Sequence, residues 1–319
     1  MRYVACHLYS HGLMQSRHLG PFRSYSSTHL HRQHPLPSMP SESLPGVACT
    51  KTATAEPQLI ELGPGFSVYV GAERDARFIY KEIYEDHCYD MATLPPDPFI
   101  IDAGANIGLF SLYFKTKYPA ARILAFEPAP QIFDLYRRNL ALHDVPLGQG
   151  QDVEAHACAL GAERETSRWL TYFPNAPGNS TFVPGEKELL RRALPAEHHQ
   201  RMIDRSSAGA TRVGVPVERL SRFLDGYGPG GLGRIDLLKV DVESWELDVL
   251  LGIDDRHWGM VRNAAVEVSE LSGLCHDVEA LLREKGFAVE RELAAWSYET
   301  APTYTILARR EEGLFSNES

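Results

Sequence analysis

Paired cysteines, metal-ligand spacings, an excess of basic charge and long apolar runs are all missing from this chain. Each absence closes a class of function. The five cysteines (Cys6, Cys49, Cys88, Cys158, Cys275) are odd in number and scattered, with no CxxC and no Cys/His spacing. That pattern argues for reduced thiols inside a cell and against a disulfide framework or a structural zinc. Each cysteine reads as a small buried hydrophobe, and no metal is expected. The net charge is −10, so the basic footprint that grips phosphate is lacking and no nucleic acid partner is expected. No stretch approaches the ~20 apolar residues that span a bilayer, which excludes membrane insertion.

Acidic residues are also missing from Met1 to Ser41, a segment with four arginines, six histidines and seven serines. A proline- and serine-rich linker, Pro35 to Pro45, follows. Residues 1–55 therefore read as an N-terminal extension, open to three accounts: a disordered tail, a mitochondrial transit peptide, or an over-extended start. The expected compartment is the cytoplasm, or the mitochondrion if the extension is a transit peptide. The rest is ordinary. With 44% hydrophobic and 23% charged residues, the 319-residue chain can build a sizeable core without a staple.

Two short strand patterns, Leu59 to Leu62 and Phe66 to Val70, flank Gly63-Pro64-Gly65, which predicts a hairpin. Apolar residues at Phe78, Ile79, Ile83 and Tyr84 then predict a helix over Ala76 to His87. Pro95, Pro96 and Pro98 announce a new unit, so residues 56–98 form a hairpin and helix covering a site, and 99–310 the main domain. From Phe99 the pattern alternates. Strands are expected at Phe99–Ile101, Arg122–Phe126, Val153–Leu160, Val213–Val217, Ile235–Val240 and Ala264–Val268, with late strands at Phe287–Glu290 and Tyr304–Ala308. Helices are expected at Ile107–Tyr118, Gln131–His143, Val217–Leu224, Trp245–Leu251 and Asp277–Lys285. The regularity lapses at about 161–211, an insertion expected to wall a substrate site. There only a strand at Trp169–Phe173 and a helix near Glu186–Arg192 are legible. Alternation with short connections predicts an α/β fold, a mostly parallel sheet with helices on both faces.

In such a sheet, ligands bind beyond the carboxyl ends of the strands. The first strand ends in Asp102-Ala-Gly104-Ala-Asn106-Ile-Gly108, where glycines let the backbone turn and approach a ligand. A dinucleotide fingerprint would read GxGxxG. This loop places an acid at the strand end instead, which suits a cationic ligand such as S-adenosyl-L-methionine and would repel a pyrophosphate. The next strand ends in Glu127-Pro128, where a carboxylate accepts two ribose hydroxyls through charge-assisted bonds. Dehydrogenases use the same device, so Glu127 by itself indicates adenosine binding in general. A third signal is Lys239-Val-Asp241-Val-Glu243-Ser244-Trp-Glu246. Its two carboxylates, two residues apart, suit orienting a nucleophile, accepting its proton, holding a ligand ammonium or binding a metal. Lys239 could equally well serve only to neutralise them.

Taken together, IIDAGANIGLFSLYF, LAFEPAPQIFDLYRRNLALH and LLKVDVESWELDVLLGI resemble the FkbM-type methyltransferases, over roughly Tyr80 to Arg309. The resemblance implies a Rossmann-like class I methyltransferase fold: a mostly parallel seven-stranded sheet with one late antiparallel strand. It further implies S-adenosyl-L-methionine as donor and, usually, O-methylation of a small-molecule acceptor, a secondary-metabolite or sugar-like hydroxyl. Carried over, Asp102, Gly104, Asn106 and Gly108 surround the methionine end, Glu127 with Pro128 the ribose, and Ala159 and Leu160 the adenine. Glu82, in Lys81–Glu85, belongs to the stretch that closes over the cofactor, and Asn179-Ser180-Thr181 to a turn near the site. Asp241 sits at the cofactor end and, with Glu243, is the catalytic candidate. The family usually has glycine where this chain has Ser244. Two alternatives stay open: a nicotinamide-dependent oxidoreductase, and a non-catalytic binding module on the same fold.

Overall fold

A computed structural model describes residues 57–90, 94–227 and 233–310. The expectations for the N-terminal extension lie outside these. Gln58–Gly63 (β1) and Phe66–Val70 (β2) pair antiparallel, as their alternation demands. Val68 and Val70 point inward and are buried. The outer backbone of β2 is met by an amide side chain: Tyr69 N donates to Asn139 Oδ1 at 2.6 Å, and Asn139 Nδ2 donates to Tyr69 O at 3.0 Å. An edge strand's unpaired groups are thus satisfied by the helix it packs on. The single helix expected over 76–87 is two pieces. Glu73–Tyr80 (α1) is α-helical, and Lys81–Glu85 winds on as a π-helical turn. Such turns are rare and recur at functional sites.

The central sheet begins with Phe99–Ala103 (β3), every residue of which is buried. Leu109–Lys117 (α2), Arg122–Phe126 (β4), Pro130–Leu142 (α3) and Val153–His156 (β5) follow, and the three strands run parallel, stepping outward in order. The chain then leaves the sheet. Ala159–Leu160 (β6), Glu165–Tyr172 (β7) and, beyond the helices Glu186–Ala193 (α4) and Glu197–Ser207 (α5), Thr211–Glu218 (β8) form a separate three-stranded sheet, β6-β8-β7. The single strand expected at Val153–Leu160 is therefore broken: its halves pair with β4 and β8 respectively. No glycine or proline marks the break.

After Leu220–Leu224 (α6), Leu237–Val240 (β9) returns to the other side of β3. Glu246–Leu251 (α7), Asp255–Trp258 (α8), Asn263–Ser269 (β10), Cys275–Glu284 (α9), Ala288–Leu293 (β11) and Thr303–Arg309 (β12) complete the fold. The seven-stranded order is β11-β12-β10-β9-β3-β4-β5. β12 lies antiparallel to both β10 and β11, and the pairs from β10 to β5 are parallel. The chain thus has the α/β, Rossmann-like architecture expected of it, with its late antiparallel strand inserted beside β10.

Strand parity divides the core into two layers. Ile100, Leu237, Ala265 and Leu307 face α2 and α3, while Phe99, Ile101, Leu238 and Val266 face α6, α7 and α9. Fully burying one such side chain contributes roughly 1.5–3 kcal/mol, so the sheet is a rigid floor for whatever its ends carry. Among the described residues no helix is long and apolar enough to cross a membrane.

Candidate active site

The chain leaves β3 toward β4 on one side and leaves β9 toward β10 on the other, so the topological switch lies between β3 and β9. Their carboxyl ends meet there. Asp241 N donates to Ala103 O at 3.1 Å, and a Cβ placed on Gly104, at φ +81°, would stand 1.9 Å from Asp241 O. Only glycine allows that approach.

Lys239 clamps this junction. Its ammonium donates to Gly104 O at 2.6 Å and lies 3.3 Å from Asp102 Oδ1 and 3.5 Å from Asp241 Oδ2. Burial alone would lower the lysine pKa, but Asp241 and Asp102 carry it above the ordinary value. Asp102 does not face the crevice. It shares the parity of Ile100, points toward α2, and is completely buried, accepting from Ser111 Oγ at 2.9 Å. Burial raises its pKa despite Lys239. A side chain one residue earlier or later in the strand would have pointed to the other layer.

The crevice encloses about 630 Å³ of empty space, part of it open to solvent. Of the residues singled out by sequence, Gly104, Asn106, Glu127, Pro128, Ala159, Leu160, Asp241 and Glu243 line it. Asp102, Gly108 and Glu82 are not on its wall. Gly108, at φ +93°, begins α2; a Cβ there would come within 3.0 Å of Leu140 and 3.1 Å of Tyr136, so it serves the close packing of α2 on α3. Ala159 and Leu160 reach the wall from β6 of the small sheet.

Glu127 is tied by main-chain donors: Asn106 N to Oε2 at 3.1 Å and Ala129 N to Oε1 at 2.8 Å. Burial pushes its pKa up to about 7. Each carboxylate oxygen can accept more than one bond, so capacity is left for a ligand on the crevice side.

Beyond β9 the chain makes two consecutive left-handed residues, Glu243 at φ +54° and Ser244 at φ +74°. Such backbone costs roughly 1–2 kcal/mol per non-glycine residue. Two bonds hold it: Thr181 Oγ1 donates to Glu243 O at 2.6 Å, and Ser244 N donates to Glu246 Oε1 at 2.9 Å. The glycine usual at position 244 thus has a conformational reason. Burial pushes Glu243 up to about 7, and Lys187, 3.7 Å from its Oε2, opposes that rise. Glu246 is pushed up to about 8 by burial, and its Oε2 finds no hydrogen-bond partner among the described residues.

The segment before β3 adds contacts near the end of β9. Tyr89 OH donates to Asp241 Oδ2 at 3.3 Å, and the Trp296 indole donates to Glu82, whose carboxyl is pushed up to about 8 by burial and by Asp241. Glu267 on β10 is raised well above the carboxylate range by burial and by Asp241 and Glu82. The junction is therefore an acid-rich concavity with Lys239 at its base.

Sequence reasoning missed Lys187, Tyr89, Glu267, Phe182 and Trp296. They come from the insertion, from the segment before β3 and from the late strands and turns, and no spacing marked them. Asn179-Ser180-Thr181 did carry a signal. Ser180 lines the crevice and Thr181 holds Glu243.

A model of the methyltransferase FkbM domain matches residues 102–289. Methyltransferase sdnD of Sordaria araneosa is 50% identical over 264 residues, 81% of this chain and 99% of that protein. Methyltransferase 1 of Beauveria bassiana is 44% identical over 253 residues, 79% of this chain and 97% of that protein. The 31-O-demethyl-FK506 methyltransferase FkbM of Streptomyces tacrolimicus is 36% identical over 225 residues, 68% and 84% of the two chains. Between the readings left open by the sequence, these findings favour the methyltransferase over the oxidoreductase.

Proposed function

The chain belongs to the FkbM methyltransferase family, and from that premise we propose that it methylates a hydroxyl oxygen of a small-molecule acceptor, secondary-metabolite or sugar-like, with S-adenosyl-L-methionine as donor. The observation that carries this is Glu127: a carboxylate at the end of β4, fixed by Asn106 N and Ala129 N and still open to the crevice. A diol donating to it would also stabilise the ionised carboxylate and so oppose the rise that burial causes. The other residues fit the same donor. Ala159 and Leu160 offer an apolar wall for the adenine, Gly104 a close backbone approach, and Asp241 a carboxylate for the ammonium. An acid-rich junction is complementary to a donor whose sulfonium gives it a net positive charge. Asp102 supports this set indirectly, by holding Lys239.

The donor supplies an electrophilic methyl group on sulfonium. The protein's part is to align the acceptor oxygen and take its proton. We assign the proton to the Glu243 carboxylate, whose pKa near 7 matches a base working at neutral pH. Held by these residues, the donor would give its methyl group to the acceptor oxygen and depart as S-adenosylhomocysteine, with the acceptor's proton left on Glu243. Alignment contributes several kcal/mol, and a positioned base about 10²- to 10⁴-fold. The name of the Streptomyces tacrolimicus relative, a methyltransferase of 31-O-demethyl-FK506, supports an oxygen acceptor.

The test is transfer of an isotope-labelled methyl group from S-adenosylmethionine to a panel of hydroxylated small molecules, glycosides included. Label on oxygen, located by NMR, is the expected result. Label on nitrogen or carbon would refute O-methylation, and NADH oxidation with any of these substrates would revive the oxidoreductase.

A further inference from the structure

We infer that Lys187, on the first turn of α4 within the insertion, is a positioning residue that aims the Glu243 carboxylate and keeps it ionised. Its meaning for catalysis rests on the reading of Glu243 as proton acceptor; the contact itself does not.

Three observations converge. Lys187 Nζ lies 3.7 Å from Glu243 Oε2 and donates to Asn179 Oδ1 at 2.9 Å, so the ammonium is braced from behind. Both side chains of the pair are largely withdrawn from water, at 20% and 29% exposure, which keeps the attraction from being screened away as it is at an open surface. Asn179 ends the turn Pro177–Asn179, and two residues later the Thr181 hydroxyl donates to Glu243 O. The insertion therefore grips residue 243 twice, by its carbonyl and by its carboxylate. That grip is needed because Glu243 and Ser244 stand in left-handed backbone, where neither strand nor helix dictates the side chain's direction.

The charge around Glu243 makes Lys187 decisive. Asp241 just after β9, Glu186 from α4 and Asp75 from α1 all act on it, with Glu82, Glu246 and Glu267 near enough to interact. These are all acids. Lys239 is engaged with Asp102 and Asp241. Without Lys187, Glu243 would face carboxylates alone and would hold its proton to higher pH, losing its use as a base near neutrality.

The experiment uses the full chain labelled with ¹³C at the glutamate side-chain carboxyl, titrated by NMR. The Glu243 signal is assigned by its loss in Glu243→Gln. Lys187→Met should raise the Glu243 midpoint by about one pH unit or more, the scale for an opposite charge removed from close range. Lys187→Arg should restore most of the shift, and Thr181→Val, which loosens only the carbonyl grip, should move it less than Lys187→Met. A midpoint that does not move in Lys187→Met, or that moves as far in Lys187→Arg, overturns the inference. If Lys187→Met does not fold, Asn179→Ala removes the brace with no change in charge and should shift the midpoint in the same direction; no shift counts against the inference. Wild-type turnover in Glu243→Gln would instead remove the catalytic reading and leave the Lys187 contact standing.

Discussion

Replacing Glu246 by glutamine removes a charge that the fold buries with half of its carboxylate unmet. Glu246 is 2% exposed; Oε1 accepts from Ser244 N at 2.9 Å, and Oε2 has no partner among the described residues. Its pKa is raised from 4.5 to about 8, by burial first and by Asp241 and Glu243 after. For a carboxyl whose folded pKa exceeds its unfolded one, the associated stability is fully present below the unfolded value and is lost as pH rises through the folded value. The window here runs from about pH 4.5 to about pH 8, and the full displacement corresponds to roughly 5 kcal/mol at ~1.4 kcal/mol per unit. Glutamine keeps the acceptor for Ser244 N and never ionises. Its amide N–H₂ lacks a partner where Oε2 lacks one, an unmet donor costing about 1–3 kcal/mol, but the neutral acid's O–H carries a similar cost there. The variant should therefore match the wild type near pH 4.5 and exceed it by roughly 5 kcal/mol near pH 9. Urea unfolding at stepped pH measures the gap. A gap that stays constant, or one that closes as pH rises, would refute the reasoning.

Three further outcomes are expected. Ser244→Gly removes a left-handed strain and should raise stability by about 0.5–1 kcal/mol after glycine's entropy is counted; calorimetric melting that shows a loss would mean the Ser244 side chain contributes more than the backbone costs. Gly104→Ala should abolish cofactor binding and lower the melting temperature sharply, because its Cβ would fall 1.9 Å from Asp241 O; wild-type binding would mean that the strand ends yield. Asp241→Asn should weaken both cofactor binding and turnover, while Glu243→Gln should lower turnover by about 10²-fold or more with cofactor affinity nearly intact. If both variants bind and turn over like the wild type, the pair is structural.

The sheet was readable because a buried parallel strand is a short apolar run whatever its neighbours: Arg122–Phe126 stands as expected, and Thr303–Arg309 takes the antiparallel place foreseen for it. Legibility failed where periodicity is weak. α5 buries only Ile203 of Glu197–Ser207, so its sequence carries no apolar stripe. The edge strand β7 was legible only in its second half, expected at Trp169–Phe173, because its first half, Glu165 to Arg168, has no buried residue. The crevice was readable at its strand ends, since Glu127, Asp241 and Glu243 each follow an apolar run. Asp102 shows the limit of that logic. It too ends such a run, but the pleat sends it to the layer under α2, where it answers Lys239 rather than the crevice. Lys187 and Trp296 were beyond reach for a different reason. They meet Glu243 and Glu82 across the fold, from turns and helices whose local sequence says nothing about their destination.

The most direct test of the account is calorimetric titration of the purified protein with S-adenosylhomocysteine, alongside Glu127→Ala and with NADH as control. The account expects micromolar binding of the nucleoside, a loss of about 1.5–3 kcal/mol in the variant, as for a hydrogen bond to a charged group, and no heat with NADH. Unchanged affinity in Glu127→Ala, or tight binding of NADH to the wild type, would contradict it.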